Sequence, residues 1–491
     1  MVSAIVFFML HTWMTWGLFV LDFLLRLFFC LRIAQRRLPV GTAWAWLSII
    51  LFFPLAGTFL YLYLGEYRLG RKRLARLEAA SLVTQGLVRK LAAQNVDDSV
   101  LTGSAKSFSR AVRGFFESPL LAGNDIELLR DADEAFPQMI EDVNRAKIFC
   151  DMEFYIWSDG GRADEFAEAV IRAARRGVAC RLLVDQVGSR AFLNGPMAKK
   201  LAASGVKIQA ALPVSFLRSI FARPDLRIHR KILIIDGSTA YTGSLNIADP
   251  HFFMRSVGVG EWVDAFCRVR GPAVQALSFV FLSDWSVETQ ADLLALEKEI
   301  TFSDTAETRS AKIQCLPSGP AIKNSAIEEV LTMAIYSARQ QLVLTTPYFI
   351  PSEALLHALI AAARRGVKVT VIVPAQVDSK MTQYASHTFF KELFEAGVQV
   401  ALFNGGMLHT KSVVIDGLFS LFGSLNLDPR SLRINFEITL AVYDELFAKS
   451  LNALQMKYLK NSTLVGPSTS EAQGTLGRLR EDFARLASPL L

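Results

Sequence analysis

The chain contains one stretch of sequence twice, and this stretch decides the fold. The first copy reads His229-Arg230-Lys231-Ile232-Leu233-Ile234-Ile235-Asp236-Gly237 and continues to Gly243-Ser244-Leu245-Asn246. The second reads His409-Thr410-Lys411-Ser412-Val413-Val414-Ile415-Asp416-Gly417 and continues to Gly423-Ser424-Leu425-Asn426. In both copies the glycine before the serine lies 14 residues after the histidine, since 243 − 229 equals 423 − 409. The repeated spacing predicts two structurally equivalent segments.

Each copy is predicted to form two short strands, because Val, Ile and Leu dominate it and an Asp-Gly pair supplies the turn. Residues i and i+2 of a strand share a face, so His229 and Lys231 point one way and Arg230 the other. Ser244 and Asn246 repeat that spacing on the next strand. Each copy therefore offers an imidazole, an ammonium, a hydroxyl and an amide on one surface, which is half of an anion site.

The doubled motif resembles the phospholipase D superfamily. Two copies of His-x-Lys-(x)4-Asp, each followed by Gly-Ser-x-Asn, carry the resemblance. Four further stretches narrow it to bacterial cardiolipin synthases: residues 423–431, Asn435-Phe436-Glu437, residues 185–189 and Asp284-Trp285. The resemblance covers nearly the whole chain. It implies two tandem phospholipase D-like domains related by a pseudo-twofold axis.

The resemblance also implies a reaction, in which two phosphatidylglycerol molecules give cardiolipin and glycerol through a phosphatidyl-histidine intermediate. Two imidazoles suit the nucleophile and the acid of such a transfer, because histidine titrates near neutral pH. The expected catalytic residues are His229, Lys231, Asp236, His409, Lys411 and Asp416. The expected contacts to substrate phosphate are Ser244, Asn246, Ser424 and Asn426. Asp264 and Glu437 match the family's carboxylates that orient the histidines, although Val263 and Ser244 depart from residues that many members have.

Some motif residues have a simpler explanation. Asp236 and Asp416 stand at Asp-Gly turns, where backbone hydrogen bonding accounts for an aspartate, so a structural role is favoured for both. The motifs have no carboxylate cluster and no Cys/His metal spacing near them, so no metal and no cofactor is predicted. The five cysteines form no CxxC pair and indicate no disulfide or zinc framework.

The first 66 residues are predicted to form a two-helix transmembrane hairpin. Residues 4–31 and 43–64 are almost entirely apolar, and each run exceeds the roughly 20 residues that cross a bilayer core. Asp22 and Arg26 lie one helical turn apart in the first run and are expected to pair. The larger basic cluster follows the second run, which places the rest of the chain in the cytoplasm. The predicted location is the bacterial cytoplasmic membrane, with the catalytic domains on its inner side.

Helices and strands alternate in the remaining sequence, which predicts an α/β sheet covered by helices. Ala-Ala-Arg-Arg-Gly-Val occurs at residues 173–178 and again at 362–367, so the repeat extends beyond the histidine motifs. Residues 67–117 are predicted to be a basic connector and residues 118–305 the first domain. Residues 306–491 are predicted to be the second domain with a C-terminal tail, which includes a short helix at about 476–487.

Several functional classes share these features. The net charge of +7 suits an anionic membrane or nucleic acid about equally, and the resemblance favours phosphatidylglycerol and anionic lipids over nucleic acid. A phospholipase D hydrolase uses the same residues with water as acceptor, and a transphosphatidylase takes another donor such as phosphatidylethanolamine. A nuclease of the superfamily does not need the apolar N-terminus. A non-enzymatic membrane scaffold leaves both motifs unexplained.

Overall fold

The computed structural model describes residues 2–36, 38, 40–66, 68–70, 73–80, 91, 95–214, 223–254, 257–297, 311–320 and 326–466. The chain divides into two compact units. The smaller comprises Met1–Gly70 and Val214–Asp225, and the larger comprises Arg71–Pro213 and Leu226–Pro489. Both motif copies lie in the larger unit. The helix predicted at 476–487 and part of the predicted connector lie outside the described residues.

The smaller unit is built from three α-helices: α1 (Val2–Gln35), α2 (Val40–Phe52) and α3 (Pro54–Leu60), followed by a π-helical turn at Tyr61–Gly65. The second predicted run is therefore two helices rather than one. Pro54 has no N–H and cannot continue α2, and it occupies the first turn of α3 instead. Within the described residues, no helix combines the length and the apolar character that crossing a membrane requires. The predicted transmembrane hairpin is not confirmed.

Charged residues in the smaller unit satisfy one another. Arg26 pairs with Asp22 at 2.8 Å, four residues earlier, as the sequence predicts. Glu66 is buried and accepts from Arg32 and from Arg36, with the Arg36 contact at 3.0 Å. A buried carboxylate is tolerated only with such partners, so Glu66 ties the end of the unit back to α1.

The larger unit contains a mixed β-sheet of fifteen strands within the described residues. Two short strands, β7 (Trp262–Val263) and β13 (Met407–Leu408), pair with each other and are not part of this sheet. The strands of the sheet in the first half are β1 (Leu121–Leu129), β2 (Phe149–Phe154), β3 (Ala179–Asp185), β4 (Lys207–Ala211), β5 (Lys231–Ile235), β6 (Thr239–Gly243) and β8 (Phe266–Arg270). Those in the second half are β9 (Ala311–Ser318), β10 (Gln341–Thr345), β11 (Lys368–Pro374), β12 (Gln399–Phe403), β14 (Ser412–Ile415), β15 (Phe419–Gly423), β16 (Glu437–Tyr443) and β17 (Ser462–Leu464).

The strand order shows the internal repeat. The sheet runs β17-β12-β11-β10-β14-β15-β16-β9-β1-β8-β6-β5-β2-β3-β4. Read outward from the antiparallel β9–β1 contact, the first half gives β1-β8-β6-β5-β2-β3-β4 and the second gives β9-β16-β15-β14-β10-β11-β12. Strands β2, β3 and β4 are parallel, as are β10, β11 and β12. The prediction of two like α/β halves is confirmed.

Helices cover the sheet and form one apolar core in each half. In the larger unit they are α4 (Gly103–Phe116), α5 (Ala132–Arg145), α6 (Arg162–Arg175), α7 (Arg190–Asn194), α8 (Pro196–Ala203), α9 (Pro272–Thr289), α10 (Leu293–Glu297), α11 (Ala326–Ser337), α12 (Glu353–Arg364), α13 (Lys380–His387), α14 (Phe390–Glu395), α15 (Pro429–Arg433) and α16 (Glu445–Lys460). Helices α9 and α16 follow the equivalent strands β8 and β16. Both pack against central strands of the sheet.

The Asp-Gly turns of the motifs adopt the backbone that the sequence predicts. Asp236 and Gly237 have φ of 50° and 64°, and Asp416 and Gly417 have 52° and 66°. Two consecutive positive φ angles are those of a type I′ hairpin turn. The Asp236 carboxylate also accepts three backbone N–H groups, of residues 147, 148 and 149, at 2.7–2.9 Å. Asp416 does the same for residues 339, 340 and 341.

Because each aspartate ties its hairpin to the neighbouring strand, Asp236→Ala is expected to lower the free energy of unfolding by about 1–3 kcal/mol. Asp236→Asn keeps an acceptor oxygen and tolerates positive φ, so its loss is expected to be smaller. Urea unfolding of the purified variants measures both. Asp133→Ala, which removes an exposed partner of Arg162, serves as the control. A chemical role for Asp236 is indicated instead if the alanine variant unfolds like the wild type but is inactive.

Candidate active site

Two short pairings between the halves bring the motif segments together. Ile228 forms a parallel bridge with Phe436, and the His229 N–H donates to the Phe436 carbonyl at 2.9 Å. Symmetrically, β13 pairs in parallel with β7, and the His409 N–H donates to the Val263 carbonyl at 2.8 Å. Each histidine segment therefore lies beside the segment of the other half that carries Asp264 or Glu437.

Each imidazole is held by a carboxylate from the opposite half. His229 Nδ1 lies 2.9 Å from both carboxylate oxygens of Glu437. His409 Nδ1 lies 2.7 Å from Oδ1 of Asp264. A carboxylate only accepts, so Nδ1 carries the proton and donates in both rings, and a neutral ring has its lone pair on Nε2. Both carboxylates were expected from the sequence, but not that the pairs cross between the halves.

The two motif serines lie behind these carboxylates. Ser244 Oγ donates to Asp264 at 2.6 Å, and Ser424 Oγ donates to Glu437 at 2.5 Å. Both serines are fully buried, and neither lines the cavity that the histidines share. Their hydroxyls are committed to carboxylates, and the predicted contact with substrate phosphate stays a prediction. Strands β6 and β15 end at Gly243 and Gly423, so both serines follow their strands, and strand alternation does not decide which groups they reach.

The motif lysines are the most buried cations of the site. Lys231 is 0 % exposed and Lys411 is 3 % exposed. Each Nζ donates to the carbonyl of the histidine two residues earlier, at 2.6 Å. Lys231 also lies 5.5 Å from the centre of the Tyr155 ring. The ammonium groups are thus fixed beneath the imidazoles.

Both motif asparagines line the cavity, as do both histidines. The side-chain oxygen of Asn246 accepts the Ile156 N–H at 3.1 Å, which leaves its amide N–H groups as donors. The cavity measures about 410 Å³. The structure therefore brings His229, His409 and the two amides to one space.

Burial sets the protonation state of the histidines. It lowers the pKa of His229 to about 4 and that of His409 to about 3, against the attraction of their carboxylates. Both imidazoles are therefore neutral at pH 7. The pKa of Lys231 is lowered to about 8, again by burial, and that of Lys411 lies well below its usual range for the same reason.

The carboxylates remain ionised in spite of their burial. Burial raises the pKa of Asp264, but His409, Lys411 and the Ser244 hydroxyl lower it by more. Burial likewise raises the pKa of Glu437, and His229, Lys231 and the Ser424 hydroxyl outweigh it. Each neutral imidazole thus lies against an ionised carboxylate.

Aromatic residues that the sequence did not assign to the site surround the histidines. The Tyr155 ring lies 5.0 Å from the His229 ring, and the Trp262 ring lies 4.4 Å from the His409 ring. Tyr348 also lines the cavity and donates to Asp378 at 2.8 Å. A signal was present in the sequence: Tyr155 and Tyr348 each follow an equivalent strand, in the runs Phe154-Tyr-Ile-Trp157 and Pro347-Tyr-Phe-Ile350.

The residues that directly follow the two motif histidines make different contacts. Arg230, just before β5, pairs with Asp284 of α9 and donates through Nε to the Glu437 carbonyl at 3.0 Å. At the equivalent position Thr410 donates its hydroxyl to the Val263 carbonyl at 3.2 Å. The residue after His229 is therefore held in an ion pair, whereas the residue after His409 makes only a neutral hydrogen bond.

Sequence comparison matches both halves of the chain to known proteins. The family model described as "Cardiolipin synthase, PLD-like domain" matches residues 139–256 and 331–457, one match in each half. The cardiolipin synthase A of Erwinia tasmaniensis is 40 % identical over 488 residues, which is 98 % of this chain and 99 % of that protein. The chain belongs to the cardiolipin synthase family. The sequence-based prediction of this family, and of a phospholipase D-like enzyme, is confirmed.

Other relatives of the family extend the comparison. The cardiolipin synthase A of Citrobacter koseri is 40 % identical over 462 residues, covering 94 % of this chain and 95 % of that protein. Among solved structures, the phosphatidylserine synthase of Haemophilus influenzae superposes with a TM-score of 0.58 at 17 % identity, over 78 % of this chain and 100 % of that one. At that identity the likeness shows the shared fold.

The crossed pairing can be tested without an activity assay. In protein with ¹⁵N-labelled histidine, Glu437→Gln is expected to change the ring nitrogen shifts of His229, in the other half, and to leave those of His409 close to the wild type. Asp264→Asn is expected to do the reverse. His251, which is paired with Glu261 on the surface, is the reference signal in both variants. A Glu437 substitution that perturbs His409 instead would contradict the pairing.

Proposed function

We propose that this protein transfers a phosphatidyl group between two phosphatidylglycerol molecules and so makes cardiolipin and glycerol. One observation carries the proposal: two neutral imidazoles, each fixed by a carboxylate of the other half, share one cavity. The family relatives named cardiolipin synthase A support the choice of reaction. The donor amides and the buried lysines supply the positive potential that a phosphodiester requires.

The proposed reaction has two displacements at one phosphorus. In the first, Nε2 of one histidine attacks the donor phosphorus, the bond to glycerol breaks, and the other histidine's Nε2 proton passes to the leaving oxygen. In the second, the acceptor hydroxyl gives its proton to Nε2 of the histidine that protonated the leaving oxygen. The acceptor oxygen attacks phosphorus, and the phosphorus–nitrogen bond to the first histidine breaks. One phosphodiester replaces another, so no energy-rich donor is consumed.

Substrate binding favours the protonation that the mechanism requires, and the proton itself comes from solvent. Both histidines have lowered pKa values because they are buried. The phosphodiester brings a negative charge between them, which favours the imidazolium form of one ring. The carboxylate on Nδ1 then stabilises that imidazolium and holds its Nε2–H toward the leaving oxygen.

We assign attack to His229 and proton transfer to His409. Two features support the assignment. Glu437 contacts His229 with both oxygens, and Arg230 donates to the Glu437 backbone carbonyl, so His229 has the more rigid support.

The other motif residues have separate roles in the proposal. The phosphoryl oxygens are stabilised by Lys231, Lys411, Asn246 and Asn426. Asp236 and Asp416 act through the hairpin turns alone.

Hydrolysis is the main competing activity. A phospholipase D would use the same residues with water as acceptor and would release phosphatidic acid. A transphosphatidylase with phosphatidylethanolamine as donor would release ethanolamine instead of glycerol. Purified protein in vesicles of phosphatidylglycerol, with and without phosphatidylethanolamine, separates these reactions when the products are resolved by lipid mass spectrometry. Cardiolipin with an equal amount of glycerol is the expected result.

We further propose that the smaller unit attaches the protein to the bacterial cytoplasmic membrane, with the catalytic unit on the cytoplasmic side. Large apolar side chains of α1–α3 are strongly exposed, including Trp13 at 77 %, Phe52 at 79 % and Leu55 at 78 %. Exposed apolar surface of this kind marks contact with lipid or another apolar partner. The basic residues at the end of this segment and just after it, at positions 68–76, suit an anionic inner leaflet.

The roles of the histidines can be separated with a donor that needs no acid. His229→Ala and His409→Ala are each expected to lower transfer from phosphatidylglycerol by roughly 10²-fold or more. With phosphatidyl-p-nitrophenol, the His409 variant should still release p-nitrophenol and form a lipid-linked enzyme, whereas the His229 variant should not. His251→Ala is the matched control. An adduct on His409 would reverse the roles, and full activity of either variant would exclude a shared site.

Membrane attachment is tested by flotation of the full-length protein with phosphatidylglycerol vesicles. Burying a Phe or Leu side chain contributes roughly 1.5–3 kcal/mol, so the double substitution Phe52→Asp and Leu55→Asp should lower vesicle binding at least tenfold. Leu446→Asp changes a residue of the larger unit that is 74 % exposed and is the control. Equal binding of all three proteins would contradict attachment through α2 and α3.

A further inference from the structure

Two arginines line the active-site cavity close to His229. Arg227 precedes His229 by two residues, and its side chain is 13 % exposed. Arg430 lies in α15 and lines the same cavity. The backbone joins the two positions: the Asn435 N–H donates to the Arg430 carbonyl at 2.8 Å, and the Phe436 N–H donates to the Arg227 carbonyl at 2.9 Å. Both arginines are therefore anchored on the segment that leads to Glu437.

Both guanidinium charges act on one neighbour of His229. Burial and the Asp185 carboxylate raise the pKa of Tyr155, and Arg227 and Arg430 each oppose this rise. The Tyr155 ring in turn lies 5.0 Å from the His229 ring. The two arginines thus lie next to one histidine, in a part of the cavity that Asp378 and Asp428 also line.

The His409 side of the cavity has no equivalent pair in the described residues. Met407 stands two residues before His409, where Arg227 stands in the other half. In the run Asp428-Pro429-Arg430 the third position is arginine, whereas in Asp249-Pro250-His251 it is a histidine that pairs with Glu261 and does not line the cavity. Phe253, Met254 and Trp262 line the cavity on this side. The cavity is symmetric in its histidines but not in its charge.

We propose that Arg227 and Arg430 form a second anion subsite, which binds the phosphate of the acceptor phosphatidylglycerol. The inference rests on the proposed function and adds a substrate contact to it. The acceptor hydroxyl belongs to a glycerol that is attached to the acceptor's own phosphate. When that hydroxyl attacks the phosphorus on His229, a second phosphodiester anion therefore lies one glycerol away, and it requires its own cationic partners.

A carboxylate lies beside Arg227, and another lies at the start of the helix that carries Arg430. Arg227 Nε lies 3.9 Å from Asp185, whose carboxylate accepts the backbone N–H groups of residues 187, 188 and 228. Asp428 accepts the Ser431 N–H at 2.7 Å at the start of α15. Asp185 and a 2.5 Å hydrogen bond from Arg227 Nη1 to the Leu226 carbonyl therefore hold Arg227 in place at the cavity. Arginine suits this task because its planar donors match phosphate oxygens.

The subsite predicts selectivity among acceptors. Water and neutral alcohols reach the phosphatidyl-histidine without using the arginines, whereas phosphatidylglycerol gains charge-assisted hydrogen bonds from them. In the second displacement the acceptor oxygen forms its bond to phosphorus, the phosphorus–nitrogen bond breaks, and the hydroxyl proton passes to Nε2 of His409. Holding the acceptor phosphate therefore favours cardiolipin over phosphatidic acid at the same intermediate.

The test is a competition between two acceptors for one intermediate. Full-length protein is incubated with phosphatidylglycerol vesicles in buffer that contains butan-1-ol, and the molar ratio of cardiolipin to phosphatidylbutanol is measured. Loss of a charge-assisted contact is expected to lower this ratio roughly tenfold to hundredfold in Arg430→Gln, and to lower it also in Arg227→Gln. Arg430→Lys should give an intermediate ratio. Arg433→Gln, in the same helix but paired with Glu328, should keep the wild-type ratio.

Each outcome separates this subsite from the proposed reaction. A wild-type protein that makes no cardiolipin refutes the proposed function. A wild-type protein that makes cardiolipin, with variants whose ratio is unchanged while both products decline, refutes only the subsite and shows that the arginines act on the donor. If a glutamine variant makes neither product, the lysine variant decides: a wild-type ratio from it overturns the proposal, and a lowered ratio supports it.

Discussion

The hydrogen bonds between each buried histidine and a carboxylate of the opposite half are the interaction on which the site depends. A carboxylate buried without partners costs several kcal/mol, and here an imidazole, a lysine and a serine hydroxyl compensate that cost for each of Asp264 and Glu437. In return the carboxylate fixes the proton on Nδ1 and exposes Nε2 to the cavity. The lysines and serines of the motifs are thus needed to keep an anion in place behind each ring, quite apart from any contact with a phosphate.

The sheet explains how such a site is assembled from distant parts of the chain. Strands β9 and β1 join the two halves in one continuous sheet, while the β13–β7 pair and the Ile228–Phe436 bridge cross between them. Neither half holds a complete pair of histidine and carboxylate. The halves are therefore coupled in folding as well as in chemistry, since separating them would leave buried charges without partners.

The sequence reveals the parts of this structure that repeat locally. The apolar runs and Asp-Gly pairs predict the hairpins, although β5 begins only at Lys231, after His229 and Arg230. Spacing along the chain carries no information on which half supplies a partner, so the crossing of Glu437 to His229 could not be predicted. The positions of Ser244 and Ser424 behind the carboxylates were missed for a similar reason, because a face of a strand does not identify the nearest hydrogen-bond acceptor. Pro54, by contrast, was a visible sign that residues 43–64 are not one helix.

The reciprocal arrangement is the one that two identical chains form around a twofold axis, where each contact occurs twice. In such a dimer any substitution appears on both sides of the site at once. Joining the copies in a single chain removes that constraint, so one side can change while the other is kept. Arg230 opposite Thr410, and Arg227 opposite Met407, are differences that only a joined pair can hold. A site built from two joined copies can therefore have unlike surroundings at its two histidines. A reaction with two unlike displacement steps requires such a difference.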